Sequence, residues 1–175
     1  MRKLIYGGAN SLDNYIASAD HSVDWLMWGG EAADLIAEQW KSIDCVLMGR
    51  NTYELAMRNG VVGGSAGVEC YVFSRTLGPS DLGEGAALVR DDAAGFVRGL
   101  KDREGKDICL MCGGGLASTL LEAGLVDEVG VNIHPVLIGS GVPLFGPIGR
   151  QVDLELKECR AFRNGCVYLA YRVKN

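Results

Sequence analysis

The chain has 175 residues, 48% of them hydrophobic and 22% charged, with a formal net charge of −5. These proportions exclude disorder and fibrous repeats and predict one globular domain over residues 1–175, long enough to bury a substantial core. An acidic balance without a sustained basic run excludes nucleic acid and anionic membranes from the expected partners.

Leu4 to Gly8 reads as a first strand. The apolar run after Met1-Arg2-Lys3 stops too soon for a signal peptide, and no stretch is apolar for long enough to span a bilayer, so a cytoplasmic protein is expected. Glu31 to Lys41 places Ala32, Leu35, Ile36 and Trp40 at helical spacing and predicts an amphipathic helix. Cys45 to Met48 is a short buried strand. Thr52 is the expected cap of a helix beginning near Tyr53. Asn59 to Gly67 is rich in glycine and predicts a flexible surface loop. Cys70 to Phe73 and Ala87 to Val89 are two more strands. Asp91-Asp92 supplies cap chemistry for a helix running to about Arg103. Asp107 to Met111 is a strand, Leu116 to Glu122 a helix and Glu128 to Ile133 the next strand. Val152 to Cys159 and Cys166 to Val173 alternate apolar and polar residues around Asn164-Gly165, which predicts a hairpin. The expected fold is therefore α/β: three layers, α/β/α, with a mixed, mostly parallel central sheet ending in an antiparallel hairpin.

The six cysteines lie mostly among apolar neighbours and read as buried thiols. Cys109 and Cys112 have the spacing of redox and zinc sites. On a strand, however, residues three apart point to opposite faces, so no metal is expected.

Three segments join a predicted strand to a helix or loop through residues suited to phosphate. In Met48-Gly49-Arg50-Asn51-Thr52, glycine admits a ligand to the backbone. The helix start offers free N–H groups, and Arg50 adds a forked cation. In Val72-Phe73-Ser74-Arg75-Thr76, two hydroxyls and a guanidinium follow a buried strand, the equipment that selects NADP through its extra phosphate. In Cys112-Gly113-Gly114-Gly115-Leu116, three glycines between strand and helix suit a pyrophosphate, although the spacing is not Gly-x-Gly-x-x-Gly. Each segment alone would also serve as an ordinary turn. Ligands of α/β sheets bind at the carboxyl ends of parallel strands, and all three segments fall at such ends.

With their surroundings, these residues resemble the dihydrofolate-reductase-like superfamily, most closely the C-terminal reductase domain of bifunctional riboflavin-biosynthesis proteins. The resemblance begins at Ser11-Leu12-Asp13-Asn14-Tyr15-Ile16-Ala17. It runs through Met48-Gly49-Arg50-Asn51-Thr52-Tyr53-Glu54, Val72 to Leu77, Gly113-Gly114-Gly115 and Gly124 to Glu128, and ends with His134 to Phe145. It implies bound NADPH and a homodimer. It also implies reduction of a small heterocyclic substrate, as in the 5-amino-6-(5-phosphoribosylamino)uracil reductases, where hydride transfer opens a ribose ring. By the same resemblance Gly49, Arg50 and Thr52 hold phosphates, and Ser74 and Arg75 meet the 2′-phosphate. Gly113, Gly114, Gly115 and Leu116 cradle the pyrophosphate, and Asp13 borders the nicotinamide and substrate. Two departures fall on the substrate side. The riboflavin reductases usually carry Asp-Gly-Lys where this chain has Asp13-Asn14-Tyr15, and often an acidic residue where it has Cys112. A dihydrofolate reductase would place a carboxylate on the first helix, where Glu31, Asp34 and Glu38 are the candidates. A non-catalytic nucleotide-binding protein would keep only the cofactor cleft.

Asp13 is the candidate proton donor, or else a loop cap. Asn14 and Tyr15 are substrate-side candidates by position. Trp25, in the cluster Asp24-Trp25-Leu26-Met27-Trp28, could stack on a substrate or nicotinamide ring, or form a lid or dimer contact. His134, before Pro135, reads as structural, and His21 lies in a polar loop.

Overall fold

The computed structural model describes residues 1–27, 29–60 and 67–174. Trp28 and most of the predicted glycine-rich loop lie outside the described residues. The chain begins with strand β1 (Leu4–Ser11) and the short strand β2 (Tyr15–Ser18). Helix α1 (Gly30–Trp40) leads to β3 (Ile43–Gly49), which passes directly into α2 (Arg50–Arg58). Strands β4 (Glu69–Phe73) and β5 (Ala86–Val89) precede α3 (Ala93–Lys101). Asp92 caps α3 as expected, its side chain accepting from the Gly95 N–H. Next come β6 (Asp107–Met111), α4 (Gly114–Glu122), β7 (Glu128–His134) and the three-residue β8 (Gly141–Pro143). The hairpin β9 (Asp153–Ala161) and β10 (Val167–Lys174) ends the chain.

Eight strands form one sheet in the order β5-β4-β3-β6-β1-β7-β10-β9. Every pairing is parallel except the two made by β10, which runs antiparallel to β7 and β9. Alternation along the strands assigns the helices to faces. Cys45 and Leu47 pack with Val97, Leu100, Ala117 and Leu120, so α3 and α4 cover one face. Val46 and Met48 pack with Tyr53, so α2 covers the other. Ala32 of α1 packs on Cys166 and Phe162 with Tyr168 alongside. Tyr168 pairs with Asn132, and Asn132 with Ala9, which places α1 on the α2 face. The expected three-layer architecture is therefore present. Among the described residues no helix is long and apolar enough to cross a membrane.

The structure departs from the sequence reading at two helix starts. Helix α2 begins at Arg50, with Gly49 as its cap residue and no capping side chain, so Thr52 lies inside the first turn and caps nothing. Helix α4 begins at Gly114, two residues before the expected start, also without a capping side chain. The antiparallel β2–β8 ribbon was not predicted, because runs of four and three residues are too short to show a period.

Cys109 packs with the α2-side cluster and Cys112 with the α4-side cluster, as their spacing implied. Burial pushes each thiol up to about 12, so both stay protonated.

Candidate functional site

Because β4, β3, β6, β1 and β7 are mutually parallel, their carboxyl ends share one edge. Gly49 at the end of β3 lies beside Phe73 at the end of β4, and Met48 lies beside Met111 at the end of β6. The segments containing Gly49, Ser74 and Gly113 therefore stand next to one another. A Cβ on Gly49 would come within 3.7 Å of the Cβ of Cys112, so the first and third segments are in contact. Helices α2 and α4 both open at this edge with no side chain across their first N–H groups. Such groups, aligned with the helix dipole, favour an anion. The protein thus meets the backbone requirement of a phosphate-bearing cofactor twice.

Side chains supply the charge. Arg50 donates from Nη1 to the Thr76 hydroxyl at 3.0 Å and lies 3.6 Å from Glu54. This tie spans the first and second segments. The Ser74 hydroxyl accepts from the N–H groups of Thr76 and Leu77 at 3.2 and 3.1 Å, folding residues 74–77 into a tight turn. Arg90, just beyond β5, closes the turn from behind by donating to the carbonyls of Arg75 and Leu77 at 3.2 and 2.8 Å. With its backbone held on both sides, Arg75 projects from an exposed position, and its guanidinium has no protein partner among the described residues.

The glycine run has divided duties. A Cβ on Gly114 would collide with the backbone of Phe145 and Gly146, so this position is glycine for a close approach of two chain segments. A Cβ on Gly113 would lie 3.5 Å from Val142 and 3.9 Å from Ile16, so the β2–β8 ribbon walls this turn. Gly115 faces open space, and Leu116 packs against the core.

The substrate-side candidates lie around the ends of β1 and β7. Asp13 accepts the N–H groups of Gly139 at 2.8 Å and Ile138 at 3.3 Å, one on each carboxylate oxygen. The Ser11 hydroxyl beside it and these two N–H groups hold its carboxyl below the usual carboxylate range. It is thus an ionised pin for the loop after β7. Asn14 sits at φ +64°, the left-handed region that asparagine and glycine tolerate best. Its carbonyl accepts from Leu144, and its Oδ1 from Asn10 at 3.2 Å. The departure from glycine at this position therefore conserves the backbone turn. Tyr15 follows, half-buried, its N–H donating to the Ser11 hydroxyl at 3.0 Å.

Trp25 meets His134 edge-on with ring centroids 5.5 Å apart. His134 is buried at the end of β7, and its Nδ1 lies 3.3 Å from the Cys166 sulfur. Burial lowers its pKa and keeps the ring neutral. Between α1 and α2, the strip of sheet formed by β1 and β7 presents Gly7, Ala9 and Gly130 on the same side as Asn132 and His134. Ala9 sets only a methyl beside Asn132, whereas the Tyr168 hydroxyl stands over Gly130. The three acidic residues of α1 do not enter this strip: Glu31, Asp34 and Glu38 are all exposed, and Glu31 instead accepts the Arg163 N–H.

Arg90 and Asn132 were not singled out by sequence reasoning. Arg90 follows a short strand next to the Ser74 segment, and that adjacency was its only signal. His21 stands in an exposed turn at φ +65°.

An edge with two open helix starts, an anchored arginine turn and a flanking strip of small residues stands on an α/β protein of dihydrofolate-reductase-like fold. Residues 2–168 match the model of the RibD C-terminal domain. The chain belongs to this RibD C-terminal domain family. It is 32% identical over 162 residues to Bacillus subtilis YwjB, covering 92% of each chain. A protein of Shewanella sp. PV-4 described as a riboflavin biosynthesis protein shares the fold with a TM-score of 0.86, at 22% identity over 99% of both chains. Dihydrofolate reductase from Enterococcus faecalis, solved with NADP(H), matches with a TM-score of 0.67 and 16% identity over 99% of this chain and 97% of that one. At these identities the two structural likenesses concern the fold.

Proposed function

We propose that the protein is an NADPH-dependent reductase of a small heterocyclic substrate, resembling the 5-amino-6-(5-phosphoribosylamino)uracil reductases. The observation that carries this reading is the convergence of Gly49, Ser74 and Gly113 at the ends of three neighbouring strands, beside two open helix starts. The family match and the NADP(H) bound by a protein of the same fold support it.

Bound NADPH would supply the hydride. The first turns of α2 and α4 would hold its phosphates, and Arg75, fixed by Arg90 and Ser74, would read the 2′-phosphate. Asp13 pins the 138–139 loop beside the substrate ground; as an ionised acceptor it orients that loop and stores no proton. The exposed carboxylates of α1 leave the dihydrofolate reductase reading without its acid. Binding of NADPH and NADH to the full chain tests the assignment. A preference of about tenfold or more for NADPH is expected, and Arg75→Ala should weaken NADPH by about 10- to 100-fold, the worth of a charged hydrogen bond, while leaving NADH unchanged. Equal affinity for the two cofactors in the parent would remove the reading.

The same proposal includes a homodimer, supported by the edge hairpin. Leu154 and Leu156 of β9 are 41% and 55% exposed, opposite Val173 and Tyr171. Asp153 and Glu155 stand near the start of β9 and Arg160 and Arg163 near its end, so two copies running antiparallel would set unlike charges together. Light scattering should give twice the 18.7 kDa chain mass, and Leu156→Glu should halve it. A single-chain mass for the parent would exclude the dimer.

A further inference from the structure

Two buried polar atoms near the end of β7 have no partner among the described residues, and nothing in the cofactor cleft uses them. Asn132 is 8% exposed, and its Oδ1 accepts from no donor. The indole N–H of Trp25 is buried and donates to no acceptor. They belong to one neighbourhood. Trp25 rests edge-on against His134, and His134 follows Asn132 by two residues on the same face of β7. Native proteins pair nearly all such groups, so an unpaired donor and an unpaired acceptor, one on each side of His134 along this path, call for an explanation.

Their chemistry is complementary to one kind of ligand edge. A cyclic amide presents a carbonyl and an adjacent N–H. The carbonyl would accept from Trp25, and the N–H would donate to Asn132. The surroundings suit a flat ring: Ala9, the register partner of Asn132 on β1, sets only a methyl on one side of it, and Tyr168, its partner on β10, stands over Gly130 as an aromatic wall on the other. The position also fits the cofactor. The phosphate segments end β4, β3 and β6, β1 adjoins β6, and β7 adjoins β1, so this pair flanks the site on the side away from Arg75.

We propose that Trp25 Nε1 and Asn132 Oδ1 are the pair that recognises the amide edge of the substrate ring, with His134 as the residue that positions Trp25. This assignment rests on the reductase reading for the claim that the ring is a substrate. His134 is suited to positioning, because Cys166 holds one side of its ring through Nδ1 and Trp25 packs on another.

The test compares lumazine, a pteridine dione with free amide N–H groups, with 1,3-dimethyllumazine, in which both are blocked. Calorimetry on the full chain should show lumazine binding about tenfold or more tightly than the dimethyl compound, because a site built for a hydrogen bond rejects the analogue lacking it. Asn132→Leu should bring the two probes to within about threefold, whereas Trp25→Phe, which removes the donor to a carbonyl that both probes keep, should weaken both by about tenfold with their ratio kept; both variants should leave NADPH affinity unchanged. The melting midpoint of Asn132→Leu should hold or rise, since an unpaired polar group is replaced by an apolar one of similar size. The proposal is overturned if the parent does not bind lumazine or does not discriminate, if Asn132→Leu keeps the discrimination, or if Trp25→Phe leaves lumazine affinity unchanged. It is also overturned if Asn132→Leu lowers the melting midpoint and NADPH affinity together, the mark of a structural role. Failure of the parent to bind NADPH, with lumazine discrimination intact, would instead remove the reductase reading and leave the amide site standing.

Discussion

The two halves of the carboxyl-end edge are built by different means. Around β4, β3 and β6 the work falls to the backbone: glycines, helix starts and a turn of residues 74–77 whose carbonyls are tied to Arg90. Around β1 and β7 it falls to side chains that the fold leaves incompletely paired, Trp25 and Asn132 among them. A cofactor common to many proteins can be held by main-chain groups that tolerate change elsewhere. A particular substrate needs donors and acceptors that fit it alone, and until it binds, those groups cost stability. The contrast explains why the family match is clear while the substrate is a matter of a few side chains.

The sharpest way to break this comparison is at Gly114. Gly114→Val would drive a branched side chain into the Phe145–Gly146 backbone and displace the start of α4. Overpacking of this kind costs about 1–3 kcal/mol. A lower melting midpoint together with loss of NADPH binding is expected, because the same residue sets both the packing and the open N–H groups. Full NADPH affinity in a folded variant would show that the α4 start takes no part in the cofactor site. Gly115→Ala is the contrast. It meets nothing within 4 Å, so stability should barely change, and any loss of affinity would report the ligand directly.

That division also determines what was legible in the sequence. Glycine and arginine after a buried strand also serve ordinary turns, but three such segments at successive predicted strand ends reinforce one another, so those at Gly49, Ser74 and Gly113 could be placed on one edge before their contacts were known. The helix starts were misplaced by two or three residues because Thr52 and Leu116 resemble conventional beginnings, whereas a start without a capping side chain offers no such signal to read. Asn14 looked like a departure from the family pattern; its φ of +64° shows a residue serving the same turn as glycine. On the other half, Asn132 is a polar residue set between Val131 and Ile133 in β7. Only the register that sets it beside Ala9, and the packing of Trp25 on the neighbouring His134, reveal that its oxygen lacks a partner. Both facts come from residues more than 100 positions apart along the chain, which no local pattern carries.

The smallest expected effect concerns pH, and it belongs to the β7 half alone. Burial lowers the pKa of His134, so the folded chain binds its proton less readily than the unfolded chain, whose histidine titrates near 6.5. Below about pH 6.5 the unfolded state therefore takes up the proton first, and stability falls as pH drops from there through the folded pKa. The carboxylates act in a different window. Asp13 is held below the ordinary range by Ser11 and by the backbone N–H groups of Gly139 and Ile138. Burial would raise Glu128, but hydrogen bonds from Lys157 and Lys3 outweigh it and lower it. Their contributions persist down to about pH 4 and fade only below it. Melting midpoints measured from pH 8 to 5 should thus decline for the parent and decline less for His134→Gln, the two curves converging toward acid. Parallel curves would mean that burial of His134 is not coupled to folding, and the neutral ring that positions Trp25 would lose its support.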